Sequence, residues 1–193
     1  MLSQGDAKNL IDKVFSYSKL PECQVNVSWT EDVFIRFANN GITTSGYRIT
    51  QSISITSVTS DQREGNTVVT EATEEALKRG IEQAEALARI SKPNPEAMPA
   101  LGPQHYPEID NYDHVTAQAR GDVMIPHVKA IIDRAKQNQL TAAGFIQRSA
   151  NAVAVANKAG LFGYHTYTDS SLPTLCELQA VPAADGRLRL RYR

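Results

Sequence analysis

The stretch FANNGITTSG at residues 37 to 46 recurs, more loosely, as VANKAGLFGY at residues 155 to 164. This repetition constrains the fold more than any other feature of the chain. Each copy follows an alternating apolar run and supplies asparagine and glycine, the residues that tolerate a positive φ where two strands reverse. The repetition extends beyond the turn: Leu10 and Val128 lie 118 positions apart, as do Val14 and Ile132, Ala38 and Ala156, and Asn39 and Asn157. Gly46 and Gly163 lie 117 apart, which implies one deletion after the asparagine. Shared spacing of helix, strand and turn landmarks predicts a duplicated helix-plus-hairpin unit.

The rest of the chain fits that plan. Ala7, Leu10, Ile11, Val14 and Phe15 form one face of a helix over residues 6 to 17. Cys23 to Trp29 and Val33 to Phe37 alternate as two strands, and Tyr47, Ile49, Gln51, Ile53 and Ile55 as another with one wet face. A hairpin turn is predicted at Arg63 to Asn66, with a short return strand from Thr67 to Thr70. Thr70 or Thr73 can cap the next helix, whose buried face is Leu77, Ile81, Ala84 and Ala88 and whose end lies near Ile90. Residues 91 to 112 hold five of the nine prolines and read as an irregular connector. A second helix–strand series follows. Asp122 starts a helix with Pro126 in its first turn, strands are predicted in TAAGFIQRSA and NAVAVAN, and another runs from Phe162 towards Thr168.

The predicted class is α/β of the α+β kind, with internally duplicated helix plus antiparallel β-hairpin or meander units packed as one two-lobed domain. Its parts are a first lobe at 1–92, a proline-rich connector at 93–121, a second lobe at 122–180 and a basic tail or truncated continuation at 181–193.

The chemistry is sparse. Apolar residues make up 41% and charged residues 21% of the chain, and the formal charge is -1, so no global positive field favours a phosphate backbone. No run of apolar residues is long enough for a membrane span, and the start lacks the pattern of a secretory signal, so the cytoplasm is the expected compartment. Cys23 and Cys176 are expected to be a reduced pair. His105 and His114 flank Glu108, Asp110 and Asp113, but a proline-bracketed loop orients metal ligands poorly; His127 and His165 belong to no compact metal motif. No nucleophile elbow, nucleotide-binding glycine loop or paired-carboxylate site stands out. Arg187, Arg189, Arg191 and Arg193 alternate with Leu188, Leu190 and Tyr192, giving a candidate basic contact on an edge strand or tail.

Taken in order, RFANNGITTSG, TEATEEALKRGIEQAEALARI, YPEIDNYD and TAAGFIQRSANAVAVANKAGLFGYH give residues 5 to about 178 a resemblance to the N-terminal domain of the TldD/PmbA family. That family comprises microcin-processing peptidases, also described as modulators of DNA gyrase and as peptidase U62. The resemblance implies a domain of a proteolytic and peptide-maturing system that forms homo- or hetero-oligomers. It also implies zinc held in a C-terminal region by a His-Glu-x-x-x-His motif and a later cysteine. These residues contain no such motif, so no catalytic residue, metal ligand or cofactor is assigned to them, and the sequence departs from the family pattern near Val181.

Three readings remain open. The first is a non-catalytic scaffold contacting a peptide substrate or partner through Asn39, Asn40, Gly41, Asn157, Gly160 and Tyr164. The second is a nucleic-acid or gyrase-associated module, disfavoured by charge. The third is a self-contained enzyme of another class.

Overall fold

The computed structural model describes residues 1–178, 181–182 and 188–189. The elements run α1 (Gln4–Tyr17), β1 (Glu22–Ala38), β2 (Gly41–Val58), β3 (Glu64–Val69), α2 (Glu74–Ile90), α3 (His114–Gln118), α4 (Gly121–Gln137), β4 (Leu140–Asn157), β5 (Phe162–Ser171), β6 (Thr174–Leu178), β7 (Val181–Pro182) and β8 (Leu188–Arg189). Most strands form one sheet in the order β3-β2-β1-β4-β5, with β6 also pairing β4, while β7 and β8 pair separately. The fold is α/β with antiparallel pairing, as the sequence predicts.

Contacts divide the chain into two compact units. The first gathers Met1–Glu31, Ile49–Tyr112 and Asn151–Tyr167; the second gathers Asp32–Arg48, Asp113–Ala150 and the described residues from Thr168.

In the first unit, Ala7, Ile11 and Val14 of α1 and Leu77, Ile81 and Ala84 of α2 pack on Val25, Val27, Ile53 and Ile55. Burying each large aliphatic side chain contributes roughly 1.5–3 kcal/mol. Ser3 and Thr73 cap the two helices through their hydroxyls. Glycine is required at Gly65, because a Cβ there would strike the backbone of Ala84 and Ala88 in α2.

In the second unit, Met124, Val128, Ile132 and Ala135 of α4 pack against Ile35, Phe37 and Ala142.

Several predicted boundaries change. The two alternating runs from Cys23 to Phe37 are a single strand, β1. Its polar midpoint does not end it, because Thr30 Oγ1 donates to Asn151 Oδ1 at 2.8 Å and Asp32 is satisfied by side chains around it. TAAGFIQRSA and NAVAVAN likewise fuse into β4. The turn before β3 lies at Thr59–Gln62, not at Arg63–Asn66: Gln62 N–H donates to the Thr59 carbonyl and Gln62 has φ 63. Pro126 is the sixth residue of α4, beyond the first turn, so the Asp122 carbonyl receives no i+4 backbone donor.

The repeat is present with one correction. α1 and β1 correspond to α4 and β4 close to the sequence offset, but the hairpins differ in length. Asn39 and Asn40 alone separate β1 from β2, whereas Lys158 to Leu161 separate β4 from β5. The second loop is therefore longer, not shorter. Gly46 is the sixth residue of β2 and lies against the Phe34 ring, while Gly163 is the second residue of β5, so these glycines are not equivalent.

Candidate functional site

The first hairpin turn owes its shape to asparagine. Asn39 and Asn40 take φ 52 and 57, consecutive left-handed residues that match the twist of a two-residue hairpin. Of the asparagines and glycine in this run, Gly41 has no positive φ and already belongs to β2. The Asn40 amide also joins its turn to β4, donating to the Leu140 carbonyl at 2.8 Å and accepting from Ala142 N–H at 2.8 Å.

The second turn, in the first unit, divides the work differently. Gly160 takes φ 100, and Asn157 is buried with its amide donating to the Leu101 carbonyl at 2.8 Å and accepting from Leu161 N–H at 3.0 Å. Tyr164 is half-buried and donates its hydroxyl to the Leu2 carbonyl at 2.7 Å; burial pushes its pKa up. Thus Asn39, Asn40 and Gly41 form one local group in the second unit, and Asn157, Gly160 and Tyr164 another in the first. Arg189 is in β8, and Arg187, Arg191 and Arg193 lie outside the described residues.

The β2 strand leaves that first turn with one edge open. Its pairing with β3 starts at Ile53↔Val69 and runs only to Val58↔Glu64. Its other neighbour is β1. Among the described residues, Gly41–Arg48 therefore has no strand on its outer side. Ile42 and Tyr47 on this stretch are exposed. Such an edge offers a row of backbone donors and acceptors to any extended chain.

Beside that edge lies a polar cluster that the sequence did not flag. Asp32, on β1, is 2% exposed. Its Oδ1 accepts from Ser149 Oγ at 2.7 Å and from Gln147 Nε2 at 3.3 Å, both on β4. Its Oδ2 accepts from Arg48 Nε at 3.1 Å and from Arg48 Nη2. A buried carboxylate is tolerated only with such pairing, and here two strands, β2 and β4, supply it. In the sequence, Asp32 falls on the polar phase of its strand, so nothing distinguished it from a solvated side chain.

In the first unit, Glu85 is another buried carboxylate. It accepts the N–H groups of Lys19 and Leu20 at 2.5 and 3.1 Å and a donor from Arg89 at 3.0 Å, fixing the α1–β1 loop. Lys158 donates to the Leu20 carbonyl at 2.9 Å in that same loop.

Among the described residues no group of three His, Cys, Asp or Glu side chains gathers at metal-binding separation. Asp113, from the acidic loop, caps α3 instead: its carboxylate accepts from Thr116 Oγ1 at 2.6 Å and Thr116 N–H at 2.7 Å, and these bonds hold its pKa below the usual carboxylate range. His165 stacks on Tyr167 with ring centroids 6.0 Å apart. Among the described residues no helix is long and apolar enough to cross a membrane.

Fold and sequence together define a domain resembling the first domain of the TldD/PmbA proteins. Residues 23–88 match the family model described as PmbA/TldA metallopeptidase domain 1. No curated protein matches the sequence. Among solved structures, TldE from Thermococcus kodakarensis superposes with a TM-score of 0.77 at 21% identity, covering 91% of this chain and 40% of that one. A candidate modulator of a DNA gyrase from Thermotoga maritima gives 0.71 at 13% identity, covering 89% and 42%. Another, from Bacteroides thetaiotaomicron, gives 0.69 at 13% identity, covering 91% and 45%. At these identities the likeness is one of fold, and the chain spans less than half the length of each structure.

Proposed function

We propose that this domain is a non-catalytic scaffold of a TldD/PmbA-like metallopeptidase system, and that it holds an extended peptide or a partner's strand along the outer edge of β2. One observation carries the reading: Gly41–Arg48 has an open backbone edge among the described residues, because β3 pairs β2 only from Ile53 onward. Strand addition draws its affinity from main-chain hydrogen bonds, which suits binding of many peptide sequences. Asn39 and Gly41 mark where the edge begins. Asn40, Asn157 and Tyr164 commit side-chain polar groups to internal bonds, so their proposed part is to shape the contact surface. Gly160, exposed at its own turn, is a second proposed contact point.

The test is a fluorescence-anisotropy titration of labelled, extended peptides with the full chain and with two proline variants, Thr44→Pro and Ser45→Pro. Consecutive N–H groups of a strand point to opposite edges. One proline therefore removes a donor from the open edge and abolishes binding while the fold persists. The other breaks the β1–β2 ladder and lowers stability. Equal peptide binding by both folded variants would remove the edge from the reading. Chelator-sensitive proteolysis by a homogeneous sample would overturn the non-catalytic part.

A further inference from the structure

The β2 edge carries its own preference for what lies against it. Within Asp32–Arg48 the sole acid is Asp32, which is buried, while both arginines, Arg36 and Arg48, are exposed. The exposed charge of this stretch is therefore positive. Arg48 is 62% exposed at its side chain, yet it is not a freely swinging arginine. Its Nε and Nη2 both donate to Asp32 Oδ2, and that carboxylate is itself held by Ser149 and Gln147 through Oδ1. The guanidinium plane is thus fixed from its inner side. Among the described residues its Nη1 has no hydrogen-bond partner, so two N–H groups point to whatever approaches.

Tyr47 is the neighbouring residue and is 62% exposed. Successive strand side chains stand on opposite faces of the sheet, so Arg48 and Tyr47 read the two faces of one incoming strand. A residue directly across from Arg48 would lie at cross-strand distance, where an opposite charge is favourable and a like charge unfavourable. A pre-oriented guanidinium also loses less side-chain freedom on pairing than a mobile one.

We infer that the β2 edge selects extended peptides bearing an acidic side chain opposite Arg48 next to an apolar side chain that covers Tyr47. This inference rests on the edge reading above and adds the chemistry of the occupant. Asp32, Ser149 and Gln147 are positioning residues in this arrangement, since they act through the arginine.

The experiment uses the full chain and three labelled peptides with blocked termini: Ser-Thr-Val-Thr-Val-Glu-Val-Thr-Ser and its variants with Gln or Lys in place of Glu. The Glu peptide is expected to bind about two- to fivefold tighter than the Gln peptide, with the Lys peptide weakest. Raising salt to about 0.5 M should narrow the differences, because the pair is solvent-facing. In Arg48→Gln, with folding checked by circular dichroism, the Glu preference should vanish. The peptide series on the unaltered chain decides the matter even where that variant unfolds. Equal binding of all three peptides overturns the acidic preference and leaves the edge reading standing. Absence of binding by any of them overturns the edge reading, and the inference with it.

Discussion

Asn40 combines a backbone role with a side-chain role. Its φ of 57 belongs to the left-handed region, which costs an ordinary L-residue roughly 1–2 kcal/mol and asparagine less. Its amide meanwhile satisfies Leu140 and Ala142 of β4. Asn40→Ala removes both advantages and is expected to lower stability by about 1–3 kcal/mol, read as a shift in urea midpoint at unchanged slope. Asn39→Gly should stay near wild type, since Asn39 is exposed and glycine accepts its φ of 52 freely. A loss from Asn40→Ala no larger than that from Asn39→Gly would show that the amide bridge contributes nothing. The sequence identified this turn but left its freedom shared between asparagine and glycine. The propensity for a positive φ was legible; which residue of the run used it depended on hairpin length, and that was not.

At the scale of the element, the sequence marked alternation faithfully and misplaced the breaks. Thr30, Glu31 and Asp32 interrupt the apolar rhythm of β1, and Asn151 interrupts that of β4. In isolation such residues end strands. Here they are satisfied across the sheet, through the Thr30–Asn151 bond and through the partners of Asp32, so the strands continue. The partners on β4, more than a hundred residues away, leave no local trace. Glycine within strands gives the converse test. A Cβ at Gly65 would meet α2 backbone, which has no rotamer to yield, whereas one at Gly46 would meet the Phe34 ring. Gly65→Ala is therefore expected to cost about 1–3 kcal/mol by overpacking and to lower the melting temperature by several degrees, with Gly46→Ala costing less because the ring can swing aside. A larger loss at Gly46 would mean that the Phe34 ring is itself immobile in the folded chain.

Across the whole molecule, the duplicated helix-and-hairpin plan was readable because apolar periodicity and turn residues are written locally and both copies keep their spacing. The polar cluster around Asp32 was not, since it is assembled from β1, β2 and β4 and each member alone resembles a solvated strand residue. The two cysteines give a reading that reports on both units. Both are free; Cys23 is buried in the first unit and Cys176 is exposed in the second. Burial is the main cause that pushes the Cys23 thiol above its ordinary pKa, and Ser18 and Lys158 oppose the shift only in part. Since the thiolate is the reactive form, Cys23 is doubly protected, by access and by protonation. Titration with a thiol-specific disulfide reagent at pH 8 should give one prompt equivalent per native chain, from Cys176, and a second only after denaturant is added. The raised pKa also fixes the sign of the pH effect. The unfolded chain releases this proton at lower pH than the folded chain, so the contribution of Cys23 to stability is intact below the ordinary thiol pKa and falls as pH rises through the folded value. Cys23→Ser would remove that alkaline decline, whereas Cys176→Ser should leave it unchanged. Two prompt equivalents in the native chain would show that the core around Cys23 opens on the timescale of the reaction, placing the first unit at the low-stability end of the molecule.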